Sequence, residues 1–428
     1  MKTHPIDGGE LSARIARNRE RLLTGKEYDL LHVFSPPENE WKGDMEGRAL
    51  LAFLSHYKID GTVFPCMDQF LAAYAGRTEG RFVFTCADND AGILSEQQLS
   101  GHSWLLRGLC EHYECFGDAL SLSAIRAIVS TLYLPIRSRL SSYPTVRRAS
   151  GGVSGNQTGV VDGWRLSTDT GCAFMSVDGL SHAYAVTGDE TLRELLDAMI
   201  TVFLGLDWVS LRCQTHCTLT AARGLIRMFD LTGERRYLEG AVKVWRCYTS
   251  LGMTCTYQNL NWWGRPDSWT EPCAVVDSLM LSLELFRLTG EALYRTTAAR
   301  IWANGFASLQ RDNGGAGTDT LVTPGGGDTL RCRTYEAWFC CTMRLAEGLW
   351  YADRHRNLLE YEAAGTLTKT PDGVYMDGDL VYAQVSDAAL AYAGTPIRRD
   401  GILLTPLLKF YRLPQNLIHS VTERVIFR

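Results

Sequence analysis

The sequence predicts an all-α protein, a ring of helical hairpins that forms an α/α toroid, with a short strand-rich segment at its C-terminal end. Two observations predict the ring. Apolar residues recur at helical spacing from about residue 45 to residue 360, and one short turn motif appears four times between these helices. Alternating apolar and polar residues beyond residue 360 predict the strands. An open helical array is the alternative to a closed ring.

The helical pattern is clearest in two segments, 192–204 and 274–288. Each segment places apolar side chains three or four residues apart, so one face of the helix is apolar. Because such a face must be buried, these helices are expected to pack against one another.

The turn motif is a glycine followed by an acidic residue. The glycine readily adopts the left-handed conformation that ends a helix, and the acidic side chain suits the positive N-terminus of the next helix. Each copy therefore predicts the tight turn of a helical hairpin. The spacings between the glycines, 71, 45 and 57 residues, are too irregular for identical repeats and favour a ring with long inserted loops. The four glycines are Gly117, Gly188, Gly233 and Gly290.

The pattern changes after residue 360. Residues 373–376 and 379–385 alternate apolar and polar side chains between Asp-Gly turns, which is typical of short strands. We therefore predict an α/α domain over 1–360 and a strand-rich segment over 361–428.

Composition excludes several classes of partner. The chain has 428 residues, a formal charge of −5 and 46% hydrophobic residues. No basic run is present, which argues against nucleic acid or an anionic membrane as the main partner. The N-terminus lacks an apolar core of signal-peptide length, and no later stretch stays uncharged long enough to span a bilayer. We expect a cytoplasmic protein; whether it forms a homo-oligomer stays open.

Thirteen cysteines are the unusual feature of the composition. In a reducing compartment most are expected to be small buried residues, and a few to be metal ligands or nucleophiles. Cys273 precedes the pair Cys340–Cys341 by 67 residues, and Glu271 lies two residues before Cys273. Pro272 favours a helix start, where the helix N-terminus stabilises a thiolate. Three thiolates and one carboxylate suit Zn²⁺, and simple core packing is the alternative.

These residues carry a family resemblance. Residues 270–274, 338–341 and Arg344 are similar to the β-L-arabinofuranosidases of glycoside hydrolase family 127, also described as domain of unknown function 1680. That family has an (α/α)6 barrel followed by a β-sandwich, and the resemblance covers about residues 40–360. It implies that Glu271, Cys273, Cys340 and Cys341 hold zinc, and that Cys340 is also the nucleophile.

The chain departs from this family at the acid/base residue. The family has a glutamate about sixteen residues before its Glu-x-Cys element, whereas residues 255–265 contain no carboxylate. Asp267 in the same loop and Glu336, four residues before Cys340, are the candidate replacements. Because of this departure, the identity of the sugar stays open. A chain that has lost hydrolytic activity is an alternative.

Polar and aromatic residues near predicted helix starts are candidates for binding the substrate. Gln214-Thr215-His216 resembles the family's element whose histidine faces the sugar. Asp44 and His102 are expected at the entrances of two further helices, around the same cavity. The loop with Tyr257, Trp262 and Trp263 is interpreted as a wall of that cavity, with core packing as the alternative.

Taken with the resemblance, these residues predict a retaining glycoside hydrolase that acts on a furanoside or related small carbohydrate with a zinc-bound cysteine. A zinc-stabilised carbohydrate-binding or scaffold protein without hydrolytic activity is the alternative. A lyase or isomerase acting on sugars in the same cavity is a third hypothesis.

Overall fold

A computed structural model describes most of the chain. It covers residues 8–34, 39–145, 154–254, 257–265, 268–306, 309–318 and 336–359, and the backbone of residues 2–4, 361–363, 368–369, 375–377, 380–382 and 403–404.

The described residues are mainly helical. In chain order the helices are α1 (Gly8–Thr24), α2 (Asp44–Asp60), α3 (Met67–Arg77), α4 (Ala87–Asp90), α5 (Glu96–Phe116), α6 (Ala119–Ile128), α7 (Ser176–Thr187), α8 (Glu190–Gly205), α9 (Thr215–Thr232), α10 (Arg235–Cys247), α11 (Pro272–Thr289), α12 (Ala292–Arg300) and α13 (Cys341–Arg354).

Six of these helices form a closed inner ring. Helix α2 packs on α5, α5 on α7, α7 on α9, α9 on α11, α11 on α13, and α13 returns to α2. The contact between α13 and α2 distinguishes a closed ring from an open array. Outer helices α6, α8, α10, α12 and α1 pack on α5, α7, α9, α11 and α13. The predicted (α/α)6 toroid is therefore confirmed.

The four predicted hairpin turns are present. Gly117, Gly188, Gly233 and Gly290 have φ angles of 65°, 63°, 70° and 70°. Each donates its backbone N–H to the carbonyl four residues earlier and ends an inner helix. Asp118 and Asp189 then accept backbone N–H groups at the start of α6 and α8. Each turn thus joins an inner helix to the outer helix beside it.

Short strands form three small sheets. In the first, β1 (Lys2–His4) pairs with β5 (Tyr361–Ala363); the second has the order β2 (Leu94–Ser95), β4 (Trp164–Ser167), β3 (Gln157–Val161). The third is an antiparallel series of β6 (Thr368–Lys369), β7 (Tyr375–Asp377), β8 (Leu380–Tyr382) and β9 (Leu403–Leu404). The strands β5 to β9 lie beyond residue 360, where the alternating pattern predicts strands. The domain boundary at residue 360 stays a prediction.

One described helical segment, Ala119–Ser142, has the length and apolar composition of a membrane span. Those two properties alone are weak evidence, because core helices share them. The segment packs against α5 and α8, as an outer helix of the ring does.

Glycines let the inner helices approach closely. A Cβ atom on Gly224 of α9 would lie 2.5 Å from the carbonyl oxygen of Val177 on α7. A Cβ atom on Gly179 of α7 would lie 2.5 Å from the carbonyl oxygen of Ser103 on α5. Since these neighbours are backbone atoms, neither contact can be relieved by a side-chain rotation.

We therefore expect Gly224→Ala to destabilise the protein by about 1–3 kcal/mol, because the helices must separate. Alanine is otherwise preferred over glycine inside a helix by about 1 kcal/mol. Gly205→Ala is the matched control, since a Cβ atom there meets nothing within 4 Å. Urea unfolding of both variants measures the difference, and wild-type stability of Gly224→Ala would contradict the packing described.

Candidate metal and catalytic site

The cysteine cluster lies where two neighbouring inner helices begin. Helix α11 starts at Pro272, so Glu271 is its N-cap and Cys273 lies in its first turn. Helix α13 starts at Cys341, with Cys340 as its N-cap. Because α11 and α13 pack side by side, their N-terminal ends bring the four side chains together.

The four predicted ligand residues converge. Cys341 Sγ lies 3.4 Å from Cys273 Sγ, 3.3 Å from Cys340 Sγ and 3.0 Å from Glu271 Oε1. One ligand atom from each residue lies within 4.8 Å of all the others. The four residues are therefore close enough to hold one metal ion, as the sequence predicted.

The donor set fits zinc. Zinc–sulfur bonds of about 2.3 Å in a tetrahedral site place two sulfur atoms about 3.8 Å apart. The observed separations of 3.3 and 3.4 Å are a few tenths of an ångström shorter. They are much longer than a disulfide bond of about 2.05 Å, so the thiols are not linked. Cys273 and Cys341 are fully buried, whereas 9% of Cys340 is exposed.

Without an ion, the four groups have different proton affinities. Burial raises the pKa of Glu271, Cys273 and Cys341 above their usual ranges. Hydrogen bonds from Cys273 and then Cys341 lower the pKa of Cys340, although burial opposes this. Cys340 is therefore the thiol of the three that loses its proton most easily.

A guanidinium group adjoins the cluster. Arg48 Nη1 lies 3.5 Å from Cys273 Sγ, and Arg48 donates to both carboxylate oxygens of Asp44 at 2.8 and 2.9 Å. Asp44 is the first residue of α2. Both of its carboxylate oxygens are bonded to Arg48, and its role in sugar binding stays a prediction.

His216 lies in the middle of the ring. Its Nε2 atom is 3.4 Å from Asp277 Oδ2, and its ring stacks on Trp104 at a centroid distance of 5.8 Å. Arg48 and Arg344 also contact Trp104, with guanidinium carbons 3.9 and 4.6 Å from the centre of the indole ring. Trp104 and Arg48 therefore connect His216 to the cysteine cluster, and the contact of His216 with a sugar stays a prediction.

Asp277 was missed by the sequence reasoning. It lies one turn after Cys273 on α11 and accepts hydrogen bonds from Arg223, Arg344 and Thr220. Burial alone would raise the pKa of Asp277, but Arg344 and Arg223 hold it well below its usual range. Its signal in the sequence is a single acidic residue in the otherwise apolar segment 274–283.

Further buried charges continue along the ring axis. Glu347 accepts from Arg107 and Arg223, each at 2.8–2.9 Å, and Asp178 pairs with Arg107 and Arg227. These residues come from α5, α7, α9 and α13. The centre of the ring is therefore crossed by ion pairs as well as apolar contacts.

The opposite end of the ring contains two adjoining cavities of about 620 and 380 Å³. Glu111, Glu114 and His182 lie close together there. Lys58 and Arg107 pair with Glu111, and His182 is bonded to Arg107 and Glu114. Since these groups already bond to cations or to one another, their arrangement indicates a structural role.

Gln214 is the N-cap of α9 and so lies at a helix start, as predicted. Its side-chain oxygen accepts from Cys217 Sγ at 3.0 Å, and its nitrogen lies 3.4 Å from Asn261 Oδ1. The side chain therefore ties the loop 257–265 to α9, and sugar binding by Gln214 stays a prediction.

His102 lies inside α5, which begins at Glu96, so its expected position at a helix entrance is wrong. Its role in sugar binding stays a prediction. Its Nδ1 atom bonds to the Gln98 carbonyl at 2.9 Å, and its Nε2 atom accepts the Phe84 N–H at 3.0 Å. Both ring nitrogens serve the local fold.

The aromatic loop forms part of the core. Trp262, Trp263 and Tyr257 are 3%, 0% and 2% exposed. Trp262 donates to the Thr168 carbonyl, and the Tyr257 hydroxyl accepts from Arg300. This burial favours core packing, the alternative, while the role of the loop as a wall of a sugar cavity stays a prediction.

Of the two acid/base candidates, Asp267 and Glu336, the structure describes only Glu336. Asp267 lies outside the described residues. Glu336 accepts hydrogen bonds from Arg21, Asn313 and Thr342 at 2.9, 2.8 and 3.2 Å. Glu336 thus fastens α1 to the segment before α13, and its role as the acid/base residue stays a prediction.

A second missed carboxyl is Asp169, in the loop before α7. It is buried, and its oxygens accept from Ser154 Oγ at 2.6 Å and Gly155 N at 2.9 Å. Burial raises the pKa of Asp169 to about 6. The next residue, Thr170, accepts the backbone N–H of Gln214, so this loop adjoins the start of α9.

No protein-family model matches the chain, and no curated protein matches it in sequence. Solved structures match it in fold. A β-arabinofuranosidase of glycoside hydrolase family 127 has a TM-score of 0.52 at 12% identity, and a β-L-arabinofuranosidase of that family from Geobacillus stearothermophilus T6 has 0.53 at 11%. Cellobiose 2-epimerase from Bacillus thermoamylovorans B4167 has 0.53 at 14%.

The extent of these matches differs. The match to the first β-arabinofuranosidase covers 88% of this chain and 62% of the solved chain. The match to the Geobacillus enzyme covers 90% and 71%, and the match to the epimerase covers 80% and 100%. This chain thus spans less than two thirds of the first of the two arabinofuranosidases. At such low identities the likeness shows the fold, an α/α barrel found in both glycoside hydrolases and sugar epimerases.

Proposed function

We propose that this protein is a retaining glycoside hydrolase in which Cys340 is the nucleophile and zinc is held by Glu271, Cys273, Cys340 and Cys341. The observation that carries the proposal is the convergence of these four residues at the helix starts of an (α/α)6 ring. The same barrel in glycoside hydrolases of family 127 supports a carbohydrate as substrate.

In the proposed reaction Cys340 attacks the sugar, and water then releases it. Cys340 is the most exposed of the three cysteines, so its sulfur is the one that a sugar can approach. Attack of this sulfur on the anomeric carbon forms a carbon–sulfur bond as the glycosidic carbon–oxygen bond breaks. Water then releases the sugar, and two inversions retain the configuration. Bound zinc would keep the cysteines as thiolates at neutral pH.

A proton donor must serve the leaving oxygen. We propose Asp267 for this role, since Glu336 is already bonded to Arg21, Asn313 and Thr342. The donor must later take a proton from the attacking water. We further propose that His216 contacts the sugar and that the substrate is a β-L-arabinofuranoside or a related furanoside.

The absence of a carboxylate in residues 255–265 favours a second candidate, a zinc-stabilised carbohydrate-binding protein. In that case the four-ligand site is closed and structural. Sugar binding would then occur without turnover.

A panel of aryl glycosides tests these functions. We expect the zinc-loaded protein to release the aryl group from an L-arabinofuranoside, and NMR to show the β-configured sugar as the first product. Hydrolysis in H₂¹⁸O should place the label on the anomeric carbon, which excludes a lyase or isomerase. No turnover of any glycoside, with sugar binding detected by calorimetry, would replace the hydrolase by the binding protein.

A further inference from the structure

We propose that Arg48 makes the three cysteines of the metal site unequal: it fixes Cys273 as a permanent metal ligand and leaves Cys340 as the reactive sulfur. This inference rests on the metal site of the proposed function. It assigns Arg48 as a positioning residue, because it contacts a ligand and not the reacting atoms.

The guanidinium of Arg48 is held in one orientation. Asp44 binds it through two parallel hydrogen bonds of 2.8 and 2.9 Å, and Trp104 covers its face at 3.9 Å. The side chain is buried, as is that of Asp44. The remaining nitrogen, Nη1, is directed at Cys273 Sγ at 3.5 Å. A bidentate partner and a stacked ring leave little freedom to aim this donor elsewhere.

Charge explains why such a donor is needed. Three thiolates and one carboxylate around Zn²⁺ leave two net negative charges in a buried place. A buried charge is costly unless it is paired and hydrogen-bonded. Arg48 supplies one positive charge directly beside the ligand set. Arg344, which also contacts Trp104, has its own partners in Asp277 and Glu347.

The contact between Arg48 and Cys273 also gives the three cysteines different roles. A hydrogen bond to a metal-bound sulfur withdraws electron density from it, which makes that sulfur a weaker nucleophile. Cys273 receives this bond and is fully buried. Cys341 is equally buried and contacts Glu271. Among the described residues no guanidinium donates to Cys340, whose sulfur is also the most exposed of the three.

Asp44 then acts through Arg48. Its two oxygens set the direction of the guanidinium, and its charge keeps Arg48 from being an isolated buried cation. The polar first turn of α2 therefore serves the metal site indirectly.

Metal binding without turnover tests the proposal. The full chain is loaded with Co²⁺, and its affinity is measured by competition with a chelator. The sulfur-to-cobalt charge-transfer band is recorded on the same samples. We expect Arg48→Met to weaken Co²⁺ binding about 10–100-fold and to move the band to longer wavelength, since one sulfur becomes more electron-rich.

Conservative and distant variants serve as controls. Arg48→Lys keeps the charge without the two-pronged bond to Asp44, and we expect it to restore part of the affinity. Arg227→Met removes a half-buried arginine that bonds to Asp178 at the opposite end of the ring, and should leave affinity and band unchanged. If Arg48→Met does not fold, Arg48→Lys and Asp44→Asn provide the comparison, and each should shift the band in the same direction.

The outcomes separate the two proposals. Wild-type affinity and an unchanged band in the folded Arg48 variants would overturn the role of Arg48 alone. If the wild-type protein binds neither Co²⁺ nor Zn²⁺, the metal site of the proposed function fails, and this inference fails with it.

Discussion

Replacing Cys340 by serine is expected to lower turnover of a glycoside by about 10³-fold or more. Serine has nearly the same size, but its hydroxyl remains protonated at neutral pH and cannot replace a thiolate nucleophile. Glu271, Cys273 and Cys341 should keep most of the fold at the helix starts. Steady-state kinetics and the melting temperature of Cys340→Ser measure the two effects separately.

The matched control for this variant is Cys247→Ser. Cys247 ends the outer helix α10 and is half-buried, away from the starts of α11 and α13. Its replacement should leave turnover unchanged. A Cys340→Ser protein that keeps turnover within about tenfold of wild type would show that another group attacks the sugar.

Asp277→Ala is expected to have the largest effect on stability, a loss of about 3–5 kcal/mol. The substitution leaves Arg223 and Arg344 with buried positive charges whose shared partner is gone. It also removes the acceptor beside His216. Urea unfolding of the purified protein measures the loss, provided that the transition is cooperative.

Two further variants test whether loss of the buried charge causes the destabilisation of Asp277→Ala. Asp277→Asn keeps an oxygen acceptor without the charge, and should destabilise less than Asp277→Ala. Glu194→Ala removes an exposed partner of Arg137, and should change stability by no more than about 1 kcal/mol. An Asp277→Ala protein as stable as the Glu194→Ala protein would mean that the ion pairs along the ring axis contribute little.

The ring could be predicted because its turns have a local signal. A glycine in the left-handed conformation, followed by an acidic cap, is a property of neighbouring residues, and all four copies lie where expected. The metal cluster could also be predicted, because Glu271, Cys273 and the Cys340–Cys341 pair lie at two helix starts. Convergence of those starts required α11 and α13 to be neighbours, as a ring of hairpins implies.

Helix boundaries and burial could not be predicted from local patterns. His102 was expected at a helix entrance, but an apolar segment does not show where its helix begins, and α5 already starts at Glu96. Trp263 and Tyr257 are amphipathic, and their residue types do not distinguish a cavity wall from a core. Trp263 packs against Tyr248, the residue after α10, and Tyr257 bonds to Arg300 at the end of α12; local patterns do not contain these contacts.

The buried ion pairs were missed for a different reason. Asp277, Arg344 and Glu347 occur as single charged residues on apolar helices, and each alone resembles a solvent-exposed position. Only closure of the ring places them against Arg223 and Arg107 from other inner helices. The partners that these residues have on other helices are 54 to 240 residues away in the chain, beyond any local motif.

The zinc content of the protein, purified without chelators, tests the central claim most directly. Elemental analysis should find one zinc ion per chain, and the zinc should be lost from a Cys273→Ser, Cys341→Ser double variant, since two of its four ligands are gone. Absence of zinc from the wild-type protein, with no uptake when Zn²⁺ is supplied, would contradict the account and leave the cluster as three packed thiols beside a carboxyl group.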